Sequence, residues 1–302
     1  MKGIILAGGA GNRLYPSSII YSKQLITIYD KPMIYYPLSV LLLAGIKDIL
    51  IISNVETIPF YKTLFKDGKH LGISIEYAIQ EQPRGLAEAF IIGAEFIDDD
   101  NVTMILGDNI FYGNLNFIRK AIRNNSGATV FGYYVDEPDR FGVVEFDQEG
   151  KVLSIEEKPS KPKSNYAVVG LYIYNNEVIN IAKNIKLSAR GELEITDVNK
   201  EYLKNNKLTV KLFGRGVAWL DTGTPRALLD ASSFIGAIED RQGLKVACIE
   251  EVAYMMNYIS REQFKNVIND IPQSSYRQYL MKIYKDERLF EEYQKWNSII
   301  YL

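Results

Sequence analysis

The chain has 302 residues, 47% hydrophobic and 24% charged, so it holds apolar material for a substantial core in about two domains. Formal net charge is −2 with Lys and Arg scattered, which leaves out the basic face of a nucleic-acid binder. One cysteine, Cys248, excludes an internal disulfide and reads as a small buried hydrophobe, and one histidine, His70, removes catalytic triads and most His-based metal sites. Chemistry must then run on carboxylates, cations and backbone amides.

In chain order, Lys2–Ala7, Asp48–Ser53, Ser74–Ala78 and Val102–Leu106 are short apolar runs bounded by turn or polar residues, the pattern of buried strands. Between them the spacing predicts helices over Pro32–Ala44, closed by Gly45, over Leu86–Phe96 and over Leu115–Arg123. That alternation implies an α/β fold with a doubly wound, mostly parallel sheet. The acidic run Asp98-Asp99-Asp100 reads as a solvated turn. From Ala128 to Tyr174 strands follow one another through short polar turns, so a small antiparallel insertion is expected. A helix opens at Thr196, another at the capped pair Thr224-Pro225 with Gly243 closing it, and Ser260 with Gln263 forms a capping box. The remainder, to about Trp296, reads as helical. The expected division is an α/β unit over 1–225 and a helical region over 226–302. The longest apolar run, Leu38–Ile46, is far short of the ~20 residues of a membrane span. Ile4–Ala7 stops at glycines and Arg13 and is no signal peptide, so a cytoplasmic protein with no membrane or nucleic-acid partner is expected.

The first strand runs into Gly8-Gly9-Ala10-Gly11-Asn12-Arg13-Leu14, a turn whose backbone N–H groups suit phosphate oxygens. A dinucleotide fingerprint needs a third glycine where Leu14 stands, although Asp30 sits roughly where its ribose-binding acid belongs; a Walker A triplet is missing. Arg13 and Lys23 beside the loop suit a triphosphate. Asp108, in Leu106-Gly107-Asp108-Asn109, and Asp221, in Trp219-Leu220-Asp221-Thr222-Gly223, sit at strand ends. Each alone could shape a turn; as a pair beside a phosphate cradle they favour magnesium, which takes one or two carboxylates plus phosphate oxygens.

Lys2–Gly9 with Arg13-Leu14 and Ser22-Lys23-Gln24 resembles the opening of the bacterial sugar nucleotidyltransferases, nearest the long-form glucose-1-phosphate thymidylyltransferase branch. The likeness continues through Tyr29–Pro37, Gly107–Asn109, Gly142–Phe146, Glu156–Pro159, Ser164–Val168, Arg190–Asp197 and Trp219–Gly223, nearly the whole chain. It implies dTTP and glucose 1-phosphate as substrates, Mg²⁺ as cofactor and a homotetramer. It also implies that Gly8, Gly11, Asn12, Arg13 and Lys23 hold the triphosphate, with Gln24, Gln80 and Gly85 around the base. Asp108 and Asp221 would bind the metal, Asp108 facing the nucleotide as well. Asn109, Gly142, Glu157 and Val168 would hold the hexose and Lys158 its phosphate, with Arg13, Lys23 and Lys158 as the catalytic cations. A second, regulatory nucleotide site would involve Tyr112, Gly113, Arg215, Glu251 and position 255.

The chain departs from that pattern at Asn12 (usually Thr), Thr27 (Pro), Arg84 (often Asp) and Met255, where many relatives carry Arg. Met255 predicts a second site with altered or weakened regulation. Three alternatives stay open: a uridylyltransferase or an enzyme of another hexose 1-phosphate, a nucleotide-sugar-binding regulatory protein without turnover, and an NAD-dependent sugar-modifying enzyme.

Overall fold

The computed structural model describes residues 1–9, 11–19, 22–286 and 288. Its centre is a nine-stranded mixed sheet. Strand Lys2–Leu6 lies in the middle, parallel to Asp48–Ser53 on one side and Val102–Leu106 on the other, with Leu6 opposite both Ile52 and Leu106. Ser74–Ile79 extends the parallel part at one edge. On the other side Tyr166–Tyr174 pairs antiparallel with Val102–Leu106, and the sheet continues through Gly142–Phe146 to Val152–Glu157. Ala128–Tyr134 pairs with Tyr166–Tyr174 and, in parallel, with Leu208–Leu212. The antiparallel strands expected over Ala128–Tyr174 are present, and they extend the main sheet.

The sheet is covered on both faces, which is why its strands read as continuous apolar runs. Alternation along each strand sends side chains to opposite layers. Ile5, Ile49, Ile51 and Ile105 pack with helix Tyr35–Leu43 and with residues of the C-terminal helices, among them Ala253, Phe264 and Leu280. Ile4, Leu6, Leu50 and Met104 face the other way, against Phe90, Val178, Val198 and Tyr202. The C-terminal helices Ile249–Met255, Arg261–Asp270 and Ser275–Lys285 thus share a core with the sheet. The part of the expected helical region beyond residue 288 lies outside the described residues. Among the described residues no helix is long and apolar enough to cross a membrane.

Local signals hold where side chains cap the backbone. Thr224 Oγ1 accepts from the Ala227 N–H at 3.2 Å, Gly243 closes that helix at φ 69°, and the Ser260–Gln263 capping box is formed in both directions. The expected helix over Leu86–Phe96 is instead two short ones, Glu88–Ile92 and Ala94–Ile97, divided at Gly93. Gly93 lies against the sheet, where a Cβ would come within 3.1 Å of Ile4 and 3.2 Å of Leu50. The helix expected from Pro32 starts at Tyr35, because Lys31–Pro32 pairs with Thr27–Ile28 as a small hairpin.

Candidate active site

The parallel strands end together, and the loops beyond them form a cleft. Past Leu6 the chain turns through Gly9 at φ 110° and Gly11 at φ 60°, a region that favours glycine. Arg13 follows in a short 3₁₀ turn, and its guanidinium lies about 3 Å from the position a Cβ on Gly223 would take. The same position is 3.1 Å from Asp221 Oδ2, so the glycine loop and the Asp221 segment meet there. Lys23 is buried, with Nζ 2.6 Å from Asp108 Oδ2.

Asp221 comes from more than a hundred residues downstream. Strand Ala218–Asp221 pairs antiparallel with Asn109–Tyr112, placing Asp221 opposite Asn109 and hence beside Asp108. Thr222 Oγ1 closes the join by donating to the Asp108 carbonyl at 2.8 Å. Asn109 is almost fully buried: its Nδ2 donates to Asp108 Oδ1 at 2.8 Å, and its Oδ1 accepts from Trp219 Nε1 at 2.7 Å and from the Gly170 N–H at 3.1 Å. Asp108 is held from both sides, by Lys23 and by Asn109. Burial and then the neighbouring Asp108 raise the Asp221 carboxyl above its ordinary range, against the pull of Lys23, Arg13 and Arg140. Two acids that repel each other beside an anion cradle are suited to a divalent cation. Among the described residues no third His, Cys, Asp or Glu joins them. The donor set fits magnesium, which completes its shell with phosphate oxygens and water.

The cleft widens on either side of this pair. On one side Gln24, Gln80, Gly85 and Leu86 line a recess reached from the glycine loop. Gly85 has φ 106°, and a Cβ there would meet the Leu193 carbonyl oxygen at 2.4 Å, so glycine is required by packing against Leu193. On the other side a cavity of ≈ 530 Å³, within the range of small-molecule sites, is lined by Gly142, Glu157, Lys158 and Val168 together with Asn109 and both acids. Glu157 Oε2 accepts from Thr196 Oγ1 at 2.6 Å, and Lys158 turns out of the strand at φ 43°.

A model of the nucleotidyl transferase family matches residues 2–237. The glucose-1-phosphate thymidylyltransferase of Neisseria meningitidis serogroup A is 53% identical over 287 residues, covering 94% of this chain and 100% of that protein. The enzyme of the same name from Mycobacterium tuberculosis is 53% identical over 284 residues, covering 94% and 99%. The chain belongs to the nucleotidyl transferase family. A Bacillus anthracis protein described as a glucose-1-phosphate thymidylyltransferase, solved with sucrose, superposes on this nucleotidyl transferase with a TM-score of 0.73. It is 40% identical and covers 78% of this chain and 94% of its own. A UDP-glucose pyrophosphorylase solved with UDP-glucose shares the fold at a TM-score of 0.70 and 23% identity, covering 80% and 99%.

In this nucleotidyl transferase the triphosphate, base, metal and hexose residues expected from the sequence all line connected parts of one cleft. The residues of the expected second site fall in two places. Tyr112 and Gly113 lie against the loop of Arg215 and Gly216, where a Cβ on Gly113 would be 2.6 Å from the Gly216 carbonyl oxygen. Glu251 and Met255 are on helix Ile249–Met255, both with buried side chains. Asp30 pairs with Lys31 and Lys245 on the hairpin, which removes it from the role of a ribose-binding acid. Sequence reasoning assigned no role to Arg140, Tyr172, Arg190 or Thr196, all in the wall of the hexose-side cavity. Arg190 and Thr196 lie within the motif Arg190–Asp197, and an Arg followed closely by two Glu, Glu192 and Glu194, was the available signal. Tyr172 reaches the cavity from strand Tyr166–Tyr174 and Arg140 from the 3₁₀ turn Pro138–Arg140, and neither left such a mark.

Proposed function

We propose that this chain transfers a thymidylyl group from dTTP to glucose 1-phosphate, releasing pyrophosphate and forming dTDP-glucose. The observation that carries the reading is the antiparallel pairing of Ala218–Asp221 with Asn109–Tyr112, which sets Asp221 beside Asp108 between the glycine loop and the hexose-side cavity. The attacking oxygen of a sugar 1-phosphate is already ionised at neutral pH, so no general base is required. Catalysis then consists of aligning the two phosphates and neutralising their charge. Arg13 and Lys23 stand on the triphosphate side of the acids, and Lys158 stands on the hexose side, where it meets the incoming phosphate. Asp108 and Asp221 would hold Mg²⁺, which supplies positive charge to the α-phosphate oxygens. Asn109 keeps Asp108 aimed into the cleft, and Glu157, steadied by Thr196, accepts from hexose hydroxyls.

The relatives named for glucose-1-phosphate thymidylyltransferase activity, at 53% identity over nearly their full lengths, support the choice of dTTP and glucose. The test is pyrophosphate release across dTTP, UTP and dCTP against glucose, galactose and mannose 1-phosphates with Mg²⁺. The reading requires dTTP with glucose 1-phosphate to give the largest kcat/KM; a maximum at UTP or another sugar would reassign the substrate. The homotetramer and the weakened second site at Met255 belong to the same reading. Sedimentation checks the first, and inhibition by dTDP-rhamnose as strong as in an Arg-containing relative would reject the second.

A further inference from the structure

Gln80 follows strand Ser74–Ile79 at the back of the recess beside the glycine loop, and its amide NH₂ is held by hydrogen bonds. Its Nε2 donates to Glu88 Oε2 at 2.8 Å and points to the Gly85 carbonyl oxygen at 3.4 Å. A carboxylate and a carbonyl only accept, so the NH₂ end of the amide must face them. The carbonyl end faces the opposite way: Gln80 Oε1 lies 2.9 Å from the position a Cβ on Gly8 would occupy. Glu88 is itself buried, and its other oxygen, Oε1, is taken by Arg84, with Nε at 2.8 Å and an Nη at 2.6 Å. Arg84 is one of the residues that depart from the family pattern, and here it pairs with the group that orients Gln80.

The geometry points to Glu88 as the positioning residue that makes this site select bases carrying an N–H at ring position 3, thymine and uracil, over cytosine. The inference rests on the reading that this recess receives the nucleotide base. Thymine and uracil offer an N3–H donor, which matches the acceptor Oε1 that Gln80 turns away from Glu88 and Gly85. Cytosine offers a bare N3 lone pair, which Oε1 repels, and a site built around one hydrogen bond rejects the analogue that lacks it. With a carboxylate at position 88, both Arg84 and the Gln80 NH₂ find an acceptor, and the Gln80 amide has one orientation. A carboxamide there has a single oxygen. If Arg84 takes it, the NH₂ of residue 88 faces Gln80 and inverts its amide, turning a donor toward the base.

The test compares wild type, Glu88→Gln and the double variant Arg84→Asp/Glu88→Gln, measuring kcat/KM for dTTP and dCTP with glucose 1-phosphate. In the double variant the new Asp accepts from the residue-88 NH₂, returns its oxygen to Gln80 and restores the amide. Wild type should favour dTTP on the order of 10²-fold or more, Glu88→Gln should narrow that ratio about tenfold through KM, and the double variant should recover it. A folded Glu88→Gln with the wild-type ratio overturns the proposal. Calorimetric titration of the wild type gives a measure that needs no variant: 3-methylthymidine diphosphate should bind about tenfold more weakly than thymidine diphosphate. Equal binding overturns it too. Wild type that turns over no pyrimidine triphosphate removes the enzymatic reading and this one together, whereas turnover of dTTP with an unmoved ratio removes only the role of Glu88.

Discussion

Two of the acid clusters among the described residues are built differently. In the cleft, Asp108 and Asp221 lie side by side at strand ends, and Asp221 is disfavoured as an anion by burial and by its neighbour. Under the C-terminal helices, Glu239 accepts from Lys31 Nζ at 3.0 Å, from the Val246 N–H at 2.9 Å and from Lys245 Nζ at 3.3 Å. Glu250 and Glu251 each accept a 2.6 Å hydrogen bond, from Tyr276 and Tyr279 respectively. The second cluster is served by the protein's own donors and ties the hairpin at Asp30-Lys31 to the helices. The first leaves a charge for something outside the chain to complete. Acids that the fold satisfies are structural, and the side-by-side pair that lines the cleft is the one the proposed function assigns to the metal.

The largest test of that contrast is Asp221→Asn. Loss of this ligand should lower kcat by about 10³, near 4 kcal/mol of barrier, while the melting temperature stays at or above wild type because a disfavoured charge has gone. Unchanged turnover would dissolve the distinction. Lys31→Met should act the other way, lowering stability by about 3–4 kcal/mol in denaturant titrations by stranding part of the buried Glu239 charge. Turnover by the folded fraction should remain near wild type.

A pH series sharpens the point. Burial pushes the Glu251 carboxyl from 4.5 up to about 7, so the folded chain keeps a proton that the unfolded chain releases. Stability therefore falls as pH rises from about 4.5 through about 7. Glu251→Gln should match wild type near pH 4.5 and exceed it by about 3 kcal/mol at pH 8, read by chemical denaturation at each pH. The smallest effect belongs to Ser260→Ala, which removes one side of a capping box and should lower stability by about 1 kcal/mol with no change in kcat/KM.

Much of the site was legible because strand ends in an α/β sheet face one crevice, so Gly8, Gly11 and Asp108 could be placed together from the apolar runs that precede them. Asn109 shows where that reasoning stops. Expected at the hexose, it lines that cavity, and its buried amide is also bonded to Asp108, Trp219 and Gly170, partners that are adjacent in space but, apart from Asp108, distant in sequence. Arg84, a departure from the family pattern, has its guanidinium on Glu88.

Periodicity and turn chemistry, read from the residues alone, determined that the chain alternates strands and helices, where Thr224 and Ser260 start helices, and that glycines and cations follow the first strand. These are local properties, set by backbone sterics and by hydrogen bonds between residues a few positions apart. Only the tertiary structure decided that Asp221 lies beside Asp108, that the antiparallel strands join the central sheet, and which way the amide of Gln80 faces. Each of those depends on strand pairing or on a donor–acceptor match between residues of different elements, and neither leaves a period in the sequence.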